Sequence, residues 1–350
     1  MSGSDGFADY AKTVERFERI VRDRRRDDVM AALIVDSPWL PGYGGVNTID
    51  FCFEAETWLD VYKRVRRDLP GAVFVPDVWV EFGMAAEPSG FGAALEWSAD
   101  TPPAIHPFPG GIDGLLAADL PDPERHGLMP AILRRYERMK PRLDALGFAP
   151  RMAAARGPLA VAAHLVGVTE LLMATQLERS KCDALFDRTT ELCIRWLRAQ
   201  LDRMDEPMGV LVLDDLVGMM SPADSEHFAT GRLKRIFDAF PGLIRIFHND
   251  TPNKAVYPAI ADIGVDVFNF SHEVSVEEAR GLVGPEVVLM GNVPPLDVLT
   301  RGTPDDVRVT AKDLLAKADE FGPLLISPGG GVPPGAPLGN VKAMVETIPG

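Results

Sequence analysis

The stretch "LIRIFHND", residues 243–250, passes from a short apolar run straight into a histidine, an amide and a carboxylate. A run of four to six apolar or β-branched residues reads as a strand buried on both faces, the form taken in parallel sheets. The same grammar recurs in "AALIVD" (31–36), "AVFVPD" (72–77), the weaker "RMAAAR" (151–156) and "GVLVLDD" (209–215). It continues in "VDVFNFSHE" (265–273), "EVVLMGN" (286–292) and "PLLISPGGG" (323–331). Between the later runs lie amphipathic segments such as "SPADSEHFATGRLKRIFDAF", "SVEEARGLV" and "TPDDVRVTAKDLLAKADEFG". Several open on Ser or Thr with an acid close behind, the signature of a capped helix N-terminus. Eight such strands alternating with helices predict an α/β fold, a (β/α)8 TIM barrel. A doubly wound open sheet is the alternative, but no strand is followed by GxGxxG or GxxxxGK[ST], the nucleotide signatures of that class.

The 350 residues read as one domain, 1–350, with a helical extension over 1–30. An irregular insertion over 81–125, rich in Gly, Pro and aromatics, follows an early strand and is expected to cover or complete a site. The net charge of −15 argues against a nucleic-acid partner, which would require a basic face. The cluster Arg22 to Arg26, flanked by acids, reads as a solvated helix face. No apolar run approaches the ~18 residues that span a bilayer, and the polar N-terminus has no signal core. The reading is a cytoplasmic protein without a membrane partner. Cys52, Cys182 and Cys193 form no metal or disulfide pattern and read as packing residues.

In a barrel, reactive groups gather at the C-terminal strand ends, because the βα loops share one mouth. The polar residues there are Asp36, Asp77, Arg156, Asp214, Asp215, His248, Asp250, Asn269, Ser271, His272, Asn292 and Ser327. Asp, Asn and Ser at these positions also cap the following helix, so each has a structural reading beside the functional one. His248 directly ends an apolar run and is suited either to metal binding or to proton exchange. Asp214 and Asp215 are adjacent and cannot point the same way, so one faces the barrel and the other a neighbouring loop. His164 reads as a buried core histidine; His106, His126 and His227 read as surface residues. In "PGGGVPPGAP" (328–337) the glycines allow close approach of backbone to a ligand, and the prolines stiffen the turn.

"ARGPLAVAAHLVG", "LVLDDLVGMMSPADSEHF", "FHNDTPNKAVYPAIADIGVDVFNF", "VVLMGNVPPLDVLTRGTPDDV" and "LLISPGGGVPPGAPLGNVKAMVETI" resemble, in order, the uroporphyrinogen decarboxylase superfamily, which also holds cobalamin-dependent methyltransferases. The resemblance spans most of residues 30–350 and implies a barrel with its site in the C-terminal mouth. Its thiol-methylating members hold zinc with a His-x-Cys motif and a cysteine in the glycine-rich loop. Here His248 matches the histidine, Asp250 replaces the first cysteine, and Gly330 stands where the loop cysteine is expected. A metal on His248 and Asp250, helped by Glu81, Glu87 or Asp214, would make a harder N/O site for a divalent ion such as zinc. The decarboxylases carry an arginine-rich segment for the tetrapyrrole carboxylates, and the comparable "DSPWLPGYGGVNTIDF" has no arginine.

The resemblance therefore implies a methyltransferase exchanging a methyl group between a corrinoid (cobalamin) and a small-molecule donor or acceptor. The corrinoid would be free or carried by a small corrinoid-binding partner. In this reading His248, Asp214 and Asp250 are catalytic. Glu81, Glu87, Arg156, Asn269, Asn292 and Gly329 to Gly331 bind substrate or cofactor. Porphyrinogen decarboxylation is the alternative, and non-catalytic corrinoid or tetrapyrrole binding is a third reading.

Overall fold

The eight apolar runs all become strands of one parallel sheet. In this computed structural model, which describes residues 5–349, they are β1 (Ala31–Leu33), β2 (Ala72–Phe74), β3 (Met152–Arg156), β4 (Gly209–Leu213), β5 (Ile244–Asn249), β6 (Val267–Phe270), β7 (Val288–Val293) and β8 (Leu324–Pro328). Consecutive strands pair from β3 to β8, β8 pairs with β1, and β1 with β2, so the sheet curls round as a (β/α)8 barrel. Long helices such as Arg179–Leu201 and Pro304–Phe321 connect the strands, the latter opened by a reciprocal Thr303–Asp306 capping box. Helix Asp5–Asp23 precedes β1; residues 1–4 and 350 lie outside the described residues.

One seam, between β2 and β3, has no ladder among the described residues. An unpaired strand edge would leave buried amides without partners, each costing about 1–3 kcal/mol. Three side chains take the place of the missing strand. Asp77 accepts from Arg151 N at 2.9 Å and faces the Met152 amide. The Gln200 amide, from helix Arg179–Leu201, bonds both Ala154 N and Ala154 O. Glu87 accepts from Arg156 N at 2.8 Å. Residues 152, 154 and 156 are spaced by two, as the backbone of a parallel strand requires for groups facing one side.

The register sets the height of the site. Arg156 pairs with Leu213, Leu213 with His248, and His248 with Asn269, so all four lie on one rung. Paired residues of parallel strands project to the same face, here the barrel interior. The insertion folds as helix Ala86–Gly90, a ribbon of Leu95–Glu96 with Ala104–Ile105, and helix Gly111–Ala117. It is tied to the body by Phe108 N to Leu165 O and Thr48 N to Ala99 O. Cys52, Cys182 and Cys193 are buried and free. The basic cluster lies at and beyond the end of its helix, and three of its four arginines are ion-paired: Arg22 with Glu18, Arg24 with Asp266, Arg25 with Asp27.

Candidate functional site

A cavity of about 460 Å³ opens at the C-terminal ends of the strands. Its floor is the Arg156–Leu213–His248 rung, and its walls come from Asp36, Asp215, Asp250, His164 and the glycine-rich loop Gly329–Gly331. The insertion closes one side with Gly83, Met84, Pro102, Pro103 and Ile105.

Alternation along the strands decides which carboxylates face the cavity. Leu213 and His248 point inward, so two residues further on Asp215 and Asp250 do as well. Asp215, His248 and Asp250 bring one ligand atom each within 4.8 Å of one another. His248 Nε2 lies 3.5 Å from Asp215 Oδ1, and Asp250 N donates to the same carboxylate at 3.2 Å. Burial raises the Asp250 carboxyl above its ordinary range, the His248 ring beside it opposes this, and the Asp215 charge adds to the rise. Gly330 makes room for Asp250: a Cβ there would stand 2.6 Å from Asp250 Oδ2, and its φ of +131° disfavours any side chain. Gly329 approaches the His272 backbone equally closely, and Gly331 faces Ile34.

The histidine is held from behind. Asn269 Nδ2 donates to Met290 O at 2.9 Å and Pro328 O at 3.3 Å, which turns its Oδ1 toward His248 Nδ1 at 2.6 Å. An acceptor at that position keeps the proton on Nδ1 and leaves Nε2 to face the cavity. Asn269 thus touches the site only through His248.

Asp214, expected beside His248, points the other way. It accepts from Leu159 N at 2.9 Å at the start of helix Pro158–Val166, and burial pushes its pKa up to about 8. The carboxylate at the mouth is its neighbour Asp215. Glu87 serves the seam through Arg156 N. Glu81 does not border the cavity: Ser37 N and Ser37 Oγ bond it at 2.6 and 3.0 Å, and Gly83 N closes the set. Asp36, half-buried at the end of β1, does border it. Burial and the Glu81 charge raise its pKa to about 7, with Arg156 and His248 opposing. Asn292 donates to Ser271 O and Val274 O and shapes the loop after β6. His164, read as a core residue, borders the cavity with Nε2 3.0 Å from Met84 Sδ. Burial and then the nearby Arg156 lower its pKa to about 4. His106 and His227 are exposed and bonded to Glu96 and Asp183, while His126 Nδ1 accepts from Asp122 N.

The family model for uroporphyrinogen decarboxylase (URO-D) matches residues 43–349. The chain belongs to the URO-D family. Its relatives there divide between two activities. A uroporphyrinogen decarboxylase of Nocardia farcinica is 28% identical over 88% of both chains. A methylated-thiol–coenzyme M methyltransferase of Methanosarcina mazei is 22% identical, covering 76% of this chain and 70% of its own. A methylcobamide:CoM methyltransferase of Methanosarcina barkeri is 25% identical over 68% of each. A solved methyltransferase from Methanosarcina mazei superposes with a TM-score of 0.81 at 20% identity, over 95% of this chain and 96% of its own, which establishes the shared fold. Within the URO-D family, then, the fold is common to both activities and the mouth residues must distinguish them.

Proposed function

We propose that this URO-D family member is a methyltransferase that exchanges a methyl group between a corrinoid and a small substrate, with a divalent metal held by Asp215, His248 and Asp250. The observation that carries the reading is the convergence of these three donors, with Nε2 of His248 directed by Asn269. Two carboxylates and one imidazole form a hard donor set, suited to zinc, manganese or iron. Bound there, such an ion would act as a Lewis acid toward an oxygen or nitrogen atom of the substrate. The 460 Å³ cavity cannot enclose a corrinoid. That cofactor, free or carried by a small partner protein, would stay outside the mouth and supply the cobalt that carries the methyl group.

The chain's own residues do the rest. Asp36, with a pKa near 7, is placed to give or take a proton at the heteroatom that loses or gains the methyl group. Burial, and then the charge of Glu81, which Ser37 and Gly83 hold in place, keep the Asp36 pKa high. His164 stays neutral near pH 7 and contributes shape rather than charge. The insertion keeps water from the side of the cavity that it covers.

Decarboxylation of a porphyrinogen fits these walls less well. Its eight carboxylates need several cationic partners, and Arg156 is the only lysine or arginine bordering the cavity among the described residues. The test is elemental analysis of protein dialysed against Zn²⁺ or Mn²⁺, for wild type, Asp215→Ala and the double variant His248→Ala/Asp250→Ala. Loaded protein is then assayed for demethylation of methylcobalamin with a small alcohol or amine as methyl acceptor, and for conversion of uroporphyrinogen. Near-stoichiometric metal lost in the variants, with corrinoid turnover, is expected. A wild type that binds no metal removes the Lewis acid. Coproporphyrinogen formation without corrinoid turnover replaces the reading with decarboxylation.

A further inference from the structure

Arg156 is a buried cation that no carboxylate meets in an ion pair, although Asp36, Glu81 and Glu87 lie within range of its charge. It is 8% exposed, its Nε has no partner, and among the described residues no carboxylate lies within ion-pair distance of it. The bond that holds its guanidinium is a long one, Nη2 to Gly83 O at 3.4 Å, while its plane lies over Trp79 at 5.5 Å. Arg280, whose Nε is likewise unpartnered, differs at its terminal nitrogens, which bond Gly284 O, Val287 O and Pro323 O at 2.6–2.9 Å. Glu81 feels the charge of Arg156 but takes its hydrogen bonds from Ser37 and Gly83. An arginine removed from water and left short of acceptors is costly unless a ligand supplies them.

We infer that Arg156 anchors the carboxylate of a small monoanionic substrate. Its planar fork matches a carboxylate edge-on, and the Trp79 ring lies within cation–π range of it. The rest of the wall narrows the class. Asp36, outside the donor set, shares the cavity with Arg156, so a second negative charge beside the anchor would meet a carboxylate, which disfavours phosphates and polycarboxylates. Ile34, Leu213 and Val332 offer apolar surface to the body of the molecule. The substrate is therefore a compact monocarboxylate with an apolar body, its oxygen or nitrogen reaching toward His248. The position of that heteroatom rests on the methyl-transfer reading, whereas the anion anchor is measurable without turnover.

The experiment is ligand-observed NMR and calorimetric titration with ω-methoxy carboxylates, from methoxyacetate to 4-methoxybutanoate, each against its uncharged amide. In wild type at least one carboxylate should bind about 10- to 100-fold more tightly than its amide, the range of a charge-assisted bidentate contact. Arg156→Gln should abolish that preference while metal loading stays unchanged, and Arg156→Lys should keep part of it. Equal binding of acid and amide in wild type overturns the inference without recourse to any variant. So does a preference that survives Arg156→Gln, or the failure of every carboxylate in the series to bind up to its solubility limit. Carboxylate preference in a protein that neither binds metal nor turns over a corrinoid upholds the anchor and removes the methyl-transfer reading alone.

Discussion

Replacing Asn269 by leucine tests the histidine's orientation without touching the cavity. The side chain is fully buried, and the change removes one acceptor, 2.6 Å from His248 Nδ1, and the donors to Met290 O and Pro328 O. In the metal-free variant the imidazole is released to turn or to change tautomer. In the metal-bound state it must keep Nε2 toward the ion and hold Nδ1–H without a partner. The cost therefore falls on binding. An unsatisfied buried donor costs about 1–3 kcal/mol, which corresponds to a loss of about 5- to 150-fold in metal affinity. Competition titration with a chromophoric chelator at neutral pH reads the affinity, and long-range ¹H–¹⁵N correlation of the His248 ring reads the tautomer. Asn269→Asp provides the complementary case. It restores an acceptor to His248 but sets a carboxylate oxygen against two carbonyls, so affinity should recover in part while stability falls. Unchanged metal affinity in Asn269→Leu, with His248 still protonated on Nδ1, would refute the reasoning.

Three further outcomes follow from single contacts. Gly330→Ala puts a Cβ 2.6 Å from Asp250 Oδ2 at a φ of +131°; Asp250 must move, and chelator competition should show metal affinity lowered at least about tenfold, with an unchanged fold by circular dichroism. Gln200→Leu leaves Ala154 N–H and C=O unpaired at the seam; two such groups predict a loss of about 2–4 kcal/mol in equilibrium denaturation, with faster hydrogen exchange at the Ala154 amide. Asp214 titrates at about 8 when folded against 3.8 as its ordinary value, so the folded state keeps a proton that the unfolded state has released. Stability from this group is present below its ordinary pKa and falls by ~1.4 kcal/mol per pH unit across that window. Asp214→Asn should therefore gain on wild type in melting temperature as pH rises from about 4 to 8, and parallel curves would refute the assignment.

The strands were legible because a parallel strand buried on both faces leaves a continuous apolar run, and even the alanine-rich "RMAAAR" became the five-residue β3. Their ends were less so: in "AALIVD" the ladder stops at Leu33, although Ile34 and Val35 stay buried. The seam could not be read at all. Its closure depends on Asp77, Glu87 and Gln200, which lie far apart in sequence and meet one strand edge. A buried acid has the same appearance in sequence whether it serves a substrate or a backbone amide. Four of the acids at the strand ends and in the insertion, Asp77, Glu81, Glu87 and Asp214, turned out to serve backbone amides.

The same continuity that reveals a strand hides its phase. "GVLVL" is apolar at every position, so nothing in it says whether Asp214 or Asp215 faces the cavity. The register supplies what hydropathy cannot: Leu213 lies on the rung of His248, and the second residue after each, Asp215 and Asp250, must then share the interior. Gly330 belongs to the same logic. Read from sequence it is only a missing cysteine; in the fold it is the space into which the Asp250 carboxylate fits. A glycine in the loop and a carboxylate at position 250 are thus two sides of one contact. Adding a side chain to the loop would displace the Asp250 carboxylate, so the clustering of Asp215, His248 and Asp250 depends on both positions together.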